Sequence, residues 1–140
     1  MGLRRVTIAL QADNNLYLSR IDRGGIQYIE AAKTAIDEYC RFTVVHLDPN
    51  DPNKIALYGD NKRYLSRITH ANGDFIESIK QTEDIYSTFI IEDVGCNMIA
   101  LKADTGKYLS RITMNNIDYI KPDKINLDVY CKFRVVTLVE

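Results

Sequence analysis

The chain has 140 residues, a formal net charge of −1 at pH 7, 46% hydrophobic residues and 26% charged residues. This length suits one globular domain, and a near-neutral charge gives no basic surface of the kind that nucleic acids and anionic membranes attract. Three cysteines without metal-binding spacing indicate neither a disulfide framework nor a zinc site. We therefore expect no cofactor, no bound metal and no nucleic-acid partner.

Targeting signals are also missing from the sequence pattern. The apolar run after Met1 is too short for a secretory signal, and no segment has the apolar length of a membrane span. We expect a cytoplasmic protein without membrane insertion.

A repeated motif organises the whole chain. The string Tyr-Leu-Ser-Arg-Ile begins at Tyr17, Tyr64 and Tyr108, and three copies of one unit cover about residues 5–48, 53–94 and 97–140. A repeat of this length indicates that similar structural units pack against one another.

Each repeat predicts four short strands. In the first repeat these strands are Thr7–Leu10, Tyr17–Ile21, Gln27–Glu30 and Cys40–Val45. Turn residues at Asp13-Asn14-Asn15 and Gly24-Gly25 separate the first three strands. We interpret Ala31–Asp37 as a loop with at most one helical turn, because its counterpart in the third repeat begins with Pro122.

Twelve strands in three copies predict an all-β fold with pseudo-threefold symmetry. One unit cannot bury its apolar face alone, so the three units must close on one another. Six strands forming a barrel and six forming its cap define the β-trefoil, which is the predicted fold. A three-bladed propeller is the geometric alternative, but so few blades would leave its axis hard to fill.

The repeat resembles a known family. Ala100-Leu101-Lys102 followed by Gly106-Lys107-Tyr108-Leu109-Ser110 is similar to the "V-A-L-K-x-x-x-G-K-Y-L-S" pattern of fascin and hisactophilin, and the resemblance covers the full chain. The Gly-Lys-Tyr-Leu string also resembles amaranthin-type lectin repeats. The resemblance implies a β-trefoil that binds either filamentous actin or sugars. The chain departs from it in having only 2 histidines, and it has no Trp for the Q-x-W motif of ricin-type trefoils.

Four polar positions recur in every repeat although their neighbours have diverged. They are the predicted ligand-binding residues: Ser19, Arg20, Lys33, Asp37, Ser66, Arg67, Lys80, Asp84, Ser110, Arg111, Lys124 and Asp128. A salt bridge between Arg20 and Asp37 is the structural alternative, and Asp37 could instead cap a helical turn. We also predict that Asp13 caps its turn, and that a β-bulge near Ser19–Arg20 lets Leu18 and Ile21 share one face.

Enzymatic activity is not expected, because the sequence suggests no nucleophile–base pair and no phosphate-binding loop. The favoured hypothesis is a lectin with three equivalent sites for glycans or glycoconjugates, with Tyr28 or Tyr39 as the platform for the sugar. An acidic glycan would suit Arg20 and Lys33. The alternatives are an actin-binding or actin-bundling module and a bare interaction domain. The sequence leaves open whether the chain forms a homo-oligomer.

Overall fold

Six strands close into a barrel in the computed structural model, which describes residues 6–138. Each repeat contributes its first and last strand: β1 (Val6–Gln11), β4 (Phe42–Asp48), β5 (Asp51–Tyr58), β8 (Phe89–Gly95), β9 (Met98–Lys102) and β12 (Phe133–Leu138). Antiparallel pairs run from β1 through β4, β5, β8, β9 and β12 and back to β1. The ring has no free edge among these strands.

Three hairpins cap one end of the barrel. They are β2 (Tyr17–Arg23) with β3 (Ile26–Lys33), β6 (Tyr64–His70) with β7 (Gly73–Lys80), and β10 (Tyr108–Met114) with β11 (Ile117–Lys124). Strand β3 also pairs with β7 and β11, so the hairpins meet around one axis. A six-stranded barrel with a three-hairpin cap is the β-trefoil, and the predicted fold is confirmed.

Repeated apolar positions fill the barrel. Phe42, Phe89 and Phe133 are at most 1% exposed, and the leucines that follow the three motif tyrosines are each 2% exposed. These side chains belong to one continuous apolar core. Because each repeat supplies these phenylalanine and leucine positions, the centre of the core is alike on all three sides, whereas the equivalent buried residues Ala31, Ser78 and Pro122 differ.

A short 3-10 helix precedes the last strand of each repeat. The three helices are Glu38–Cys40, Ile85–Ser87 and Val129–Cys131. The predicted fourth strand was therefore placed too early, since Cys40 is buried in the helix and β4 begins at Phe42. The predicted loop at Ala31–Asp37 is shorter than expected, because β3 continues to Lys33.

The predicted bulge at Ser19–Arg20 is wrong. The register shifts between Tyr17, opposite Lys33, and Leu18, opposite Ala31, so the extra residue lies in β3. Leu18 is 2% exposed in the core, whereas Ile21 is half-buried at the surface. The two side chains need not share a face, and simple alternation accommodates them.

The cap closes around three aromatic rings. Tyr28, Phe75 and Tyr119 pack edge to face, with ring centroids 5.0–5.3 Å apart. Burial raises the pKa of the Tyr28 hydroxyl. Edge-to-face geometry suits the ring quadrupoles, and Phe75 is buried whereas Tyr28 and Tyr119 are half-buried.

Charged side chains beside this cluster break the threefold symmetry. Glu30 and Glu77 occupy equivalent positions, each 2% exposed, and accept from Arg23 and His70 respectively. The third position holds Lys121, which is 4% exposed. Its ammonium lies 3.7 Å from the Met114 sulfur and 4.1 Å from the centre of the Phe75 ring. Where the first repeat pairs a buried carboxylate with the exposed Arg23, the third repeat thus places a buried cation on an aromatic ring, with Asp123 Oδ2 at 3.9 Å.

Candidate functional site

The recurrent arginines tie each repeat to the next one. Arg20 donates two bonds of 2.8 Å from Nε and Nη2 to the carboxylate of Asp60, in the β5–β6 turn. Arg67 and Arg111 make the same bidentate contacts, at 2.7–2.9 Å, with Asp104 and Asp13. Three fork-shaped pairs of this kind, here called the inter-repeat clamps, join the repeats in a circle.

One alternative and one prediction about these residues are therefore wrong. Arg20 does not pair with Asp37 of its own repeat. Both carboxylate oxygens of Asp13 accept from Arg111, and the Asx-type bond in this turn comes from Asn14, whose side chain accepts from the Leu16 amide at 3.1 Å. The clamp forms because the turn of each repeat reaches the neighbouring hairpin.

The turn that carries each clamp aspartate has a fixed backbone. Asn15, Lys62 and Gly106 occupy one equivalent position with φ of 66°, 62° and 83°. Glycine adopts this left-handed conformation freely and asparagine tolerates it, whereas lysine pays a steric cost. Backbone bonds across the turn, such as Ala12 N–H to the Leu16 carbonyl at 2.9 Å, hold the aspartate toward its arginine.

The recurrent lysines and the second set of aspartates pair within each repeat. The Lys33 ammonium donates to Asp37 at 2.5 Å, and the equivalent pairs of the other repeats measure 2.6 and 2.9 Å. Asp37 also accepts from the Tyr39 amide at 3.0 Å, which confirms that it caps the helical turn. The Lys33 ammonium holds the pKa of the Asp37 carboxyl below its usual value.

A tyrosine ring lies against both cations in every repeat. The ring centres of Tyr39, Tyr86 and Tyr130 lie 5.2–5.3 Å from the arginine Cζ and 4.9–5.3 Å from the lysine Nζ. These rings are 38%, 44% and 41% exposed, so the Arg–Tyr–Lys trio reaches the surface. Tyr39, one of the two predicted platforms, therefore lies beside the predicted cations, as do its copies Tyr86 and Tyr130. Tyr28, the other candidate, lies on the axis.

A shallow hollow opens beside each Arg–Tyr–Lys trio. The volumes are about 390, 320 and 300 Å³ in repeats one, two and three. Each hollow is completed by the isoleucine that follows the arginine and by the next residue, which is Asp22, Thr69 or Thr113. The structure therefore brings the six predicted arginines and lysines to three equivalent surface sites.

The recurrent serines do not reach these hollows. Ser19, Ser66 and Ser110 are 0% exposed. Ser19 lies beside the Cys40 thiol, beneath the 3-10 helix. Burial raises the pKa of Cys40. The recurrent serine is therefore a buried residue that contacts the 3-10 helix and not a residue of the hollow.

Two kinds of site are absent from the part of the chain that the structure describes. No group of three or more His, Cys, Asp and Glu side chains among residues 6–138 could hold a metal ion. Over the same residues, no helix is both long and apolar enough to cross a membrane.

Comparisons with known proteins agree on the fold. No protein-family model matches the sequence, and neither does any curated protein. Among solved structures, the designed threefold-symmetric protein ThreeFoil aligns with a TM-score of 0.78 at 13% identity, covering 94% of this chain and 99% of its own. A BEL beta-trefoil aligns with a TM-score of 0.73 at 13% identity, covering 99% and 97%.

A plant protein gives the same result. The SDF2-like protein from Arabidopsis thaliana aligns with a TM-score of 0.71 at 13% identity, over 94% of this chain and 92% of its own. Identities this low show the fold alone. The chain is a β-trefoil protein, and its three Arg–Tyr–Lys hollows have to be interpreted from their own chemistry.

Proposed function

We propose that this protein is a non-enzymatic lectin with three equivalent carbohydrate sites, one in each Arg–Tyr–Lys hollow. The observation that carries the proposal is the recurrence of the same exposed ring, flanked by the same two cations, beside a hollow in all three repeats. A sugar presents a flat C–H face and a rim of hydroxyls. The tyrosine ring offers an apolar surface to that face, and the cations offer N–H donors to the rim.

The charge balance of the hollows favours neutral sugars. Each arginine is matched by its clamp aspartate, and each lysine by the aspartate that caps the helix. The acidic glycan considered for Arg20 and Lys33 would find little uncompensated positive charge here. An ammonium has three donors and the Asp37 carboxylate accepts from one of them, so donors remain for sugar hydroxyls.

Three shallow sites on one rigid body suit a multivalent ligand. An open hollow buries little of a sugar, so each site would bind weakly. A glycan array or a cell surface presents many copies, and the second contact then forms at a high effective concentration. We therefore expect strong binding to clustered glycans and weak binding to free monosaccharides.

The decisive variants change the tyrosines rather than the arginines, because the arginines hold the repeats together. Tyr39→Ala/Tyr86→Ala/Tyr130→Ala removes all three rings, and the matching triple Phe variant keeps the rings and removes only the hydroxyls. Ile125→Ala, at a side chain that is 75% exposed, is the control for surface substitution. Each protein is tested on a glycan array and by cell agglutination, with folding checked by circular dichroism and urea unfolding.

The expected result is glycan binding by the wild type, the control and the triple Phe variant, and at least a tenfold loss in the triple Ala variant. Absence of binding to any glycan, or unchanged binding by a folded triple Ala variant, would refute the proposal. Cosedimentation with filamentous actin tests the alternative that the fascin–hisactophilin resemblance implies. Binding to actin without glycan binding would replace the lectin by an actin-binding module.

A further inference from the structure

A second kind of cavity lies at the junction between the third and the first repeat. It has a volume of about 410 Å³ and is bordered by the β1–β2 turn, the β8–β9 turn and the last 3-10 helix. Its apolar lining comes from Ala12, Val94, Met98 and Val129. The free thiol of Cys96 also lines it, and we call this cavity the Cys96 groove.

The walls of the Cys96 groove are fixed by backbone bonds. The β8–β9 turn is tied to β12, because the Val135 amide donates to the Asn97 carbonyl at 3.0 Å and the Asn97 side-chain amide donates to the Val135 carbonyl at 3.0 Å. The opposite wall carries Asp13, which the Arg111 clamp holds in place. A ligand would therefore meet a preformed cavity and lose little binding energy in ordering it.

The Cys96 groove carries positive charge that residues 6–138 do not neutralise by ion pairing. Lys132 and Arg134 line it, and neither forms an ion pair with any residue of the described part, 6–138. The Asp13 carboxylate, which also lines the groove, is already matched by Arg111. In the Arg–Tyr–Lys hollows, by contrast, every arginine and lysine has a carboxylate partner.

The junction between the second and third repeats provides an internal comparison. An equivalent groove of about 400 Å³ lies there, with Ile85 in the place of Val129. At the positions of Lys132 and Arg134, however, it has Thr88 and Ile90. Its own two lysines come from other strands: Lys54 lies on β5, and Lys102 lies on β9 and pairs with Glu92 at 3.2 Å. The two cations at the start of the last strand are therefore specific to the Cys96 groove.

We propose that the Cys96 groove binds a small anionic amphiphile, a single carboxylate on an apolar chain. The apolar lining would take the chain, and the Lys132 ammonium and the Arg134 guanidinium would meet the carboxylate at the rim. The volume lies within the usual range of about 300–1,000 Å³ for small-ligand cavities. Charge-assisted bonds from two cations would select a carboxylate over a neutral alcohol of the same length. This site is independent of the proposed sugar sites.

Cys96 gives a direct measure of occupancy. Cys96 is exposed, whereas Cys40 and Cys131 are buried, so iodoacetamide should alkylate one thiol in the native protein. The rate is followed by intact-mass spectrometry with octanoate as the probe, below its micelle concentration, and with 1-octanol as the neutral match. The variant is Lys132→Glu/Arg134→Glu, and Lys107→Glu, at an exposed residue outside the groove, is its control.

We expect saturating octanoate to slow the alkylation of Cys96 at least fivefold in the wild type and in Lys107→Glu. We expect less than twofold slowing with 1-octanol, and less than twofold slowing by octanoate in the double Glu variant. Isothermal titration of octanoate into the same proteins checks binding without reference to the thiol. Equal protection by octanol, equal protection of the double Glu variant, or no protection at all would overturn the proposal. Glycan binding by the same variants is expected to be unchanged, which separates the two sites.

Discussion

The inter-repeat clamps make a quantitative prediction about stability. Arg111 and Asp13 join the third repeat to the first through two bonds of 2.7 and 2.8 Å, and their side chains are only 16% and 13% exposed. An exposed ion pair contributes about 0–1 kcal/mol, whereas breaking a fully buried one costs about 3–5 kcal/mol. Because this pair lies between the two limits, we expect Arg111→Ala to reduce the free energy of unfolding by about 2–3 kcal/mol.

A double-mutant cycle isolates the clamp from the other contacts of the arginine. Arg111 Nη1 also donates to Asp118 at 3.0 Å and to the Thr113 hydroxyl at 3.1 Å, so the single variant loses three hydrogen-bond partners. Comparing Arg111→Ala, Asp13→Ala and the double variant by urea unfolding gives the coupling between Arg111 and Asp13 alone. We expect a coupling of about 1.5–2.5 kcal/mol, since charge-assisted bonds contribute about 1.5–3 kcal/mol.

The matched control is the pair of Lys124 with Asp128. These side chains are 33% and 38% exposed and lie four residues apart in one repeat. Their coupling should be about 0.3–0.5 kcal/mol, because solvent screens the charges. If the two cycles gave the same coupling, burial and bidentate geometry would not explain the clamp, and the reasoning from structure to stability would be refuted.

Three further substitutions test the cap, a turn and a helix cap. Lys121→Glu reverses a buried charge and should reduce the free energy of unfolding by about 3 kcal/mol or more. Adding Met114→Arg recreates the ion pair of the first repeat and should recover over half of that loss, as measured by urea unfolding. Lys62→Gly relieves a residue held at φ 62° and should raise the free energy of unfolding by about 0.5 kcal/mol, and a decrease would contradict the steric explanation. Asp84→Asn keeps a helix-capping side chain but removes the negative charge. In the wild type, the Lys80 ammonium stabilises that charge and so lowers the pKa of Asp84. The stability that this charge provides is present above the ordinary carboxyl pKa of about 4 and is lost as the pH falls through the lower folded value. The difference in the free energy of unfolding between wild type and Asp84→Asn should therefore shrink between pH 6 and pH 2.5. A constant difference would show that the charge contributes nothing to stability.

The fold could be predicted because the repeats constrain one another. Four strands in one unit fit many all-β folds, whereas three copies without an independent core must close on themselves. The register of paired strands could not be predicted from the sequence. A register shift depends on which residues of two strands face each other, and this pairing placed the extra residue in β3 rather than at Ser19–Arg20.

The candidate site was predicted in composition but not in connectivity. Recurrence marked the arginines, lysines and aspartates. It could not show that Arg20 reaches the turn of the next repeat, because a contact within a repeat and a contact between repeats leave the same threefold pattern in the sequence. Ser19 recurs equally well, but it is buried against the 3-10 helix and does not reach the hollow.

Positions at which the repeats differ indicate features that only one junction of the trefoil has, whereas recurrent positions indicate features that all three share. Under the proposed lectin function, the threefold repetition of the Arg–Tyr–Lys hollows lets a symmetric body present one weak site three times and gain from a clustered ligand. The Cys96 groove has Lys132 and Arg134 side by side where its counterpart has Thr88 and Ile90, and the lysines of the counterpart, Lys54 and Lys102, lie on other strands. A single cationic groove gains nothing from symmetry, so it suits a small ligand that binds once. Substitution of the three tyrosines should therefore change the avidity for glycans in steps with the number of sites lost. Substitution of the groove cations should remove one binding event completely and leave that avidity unchanged.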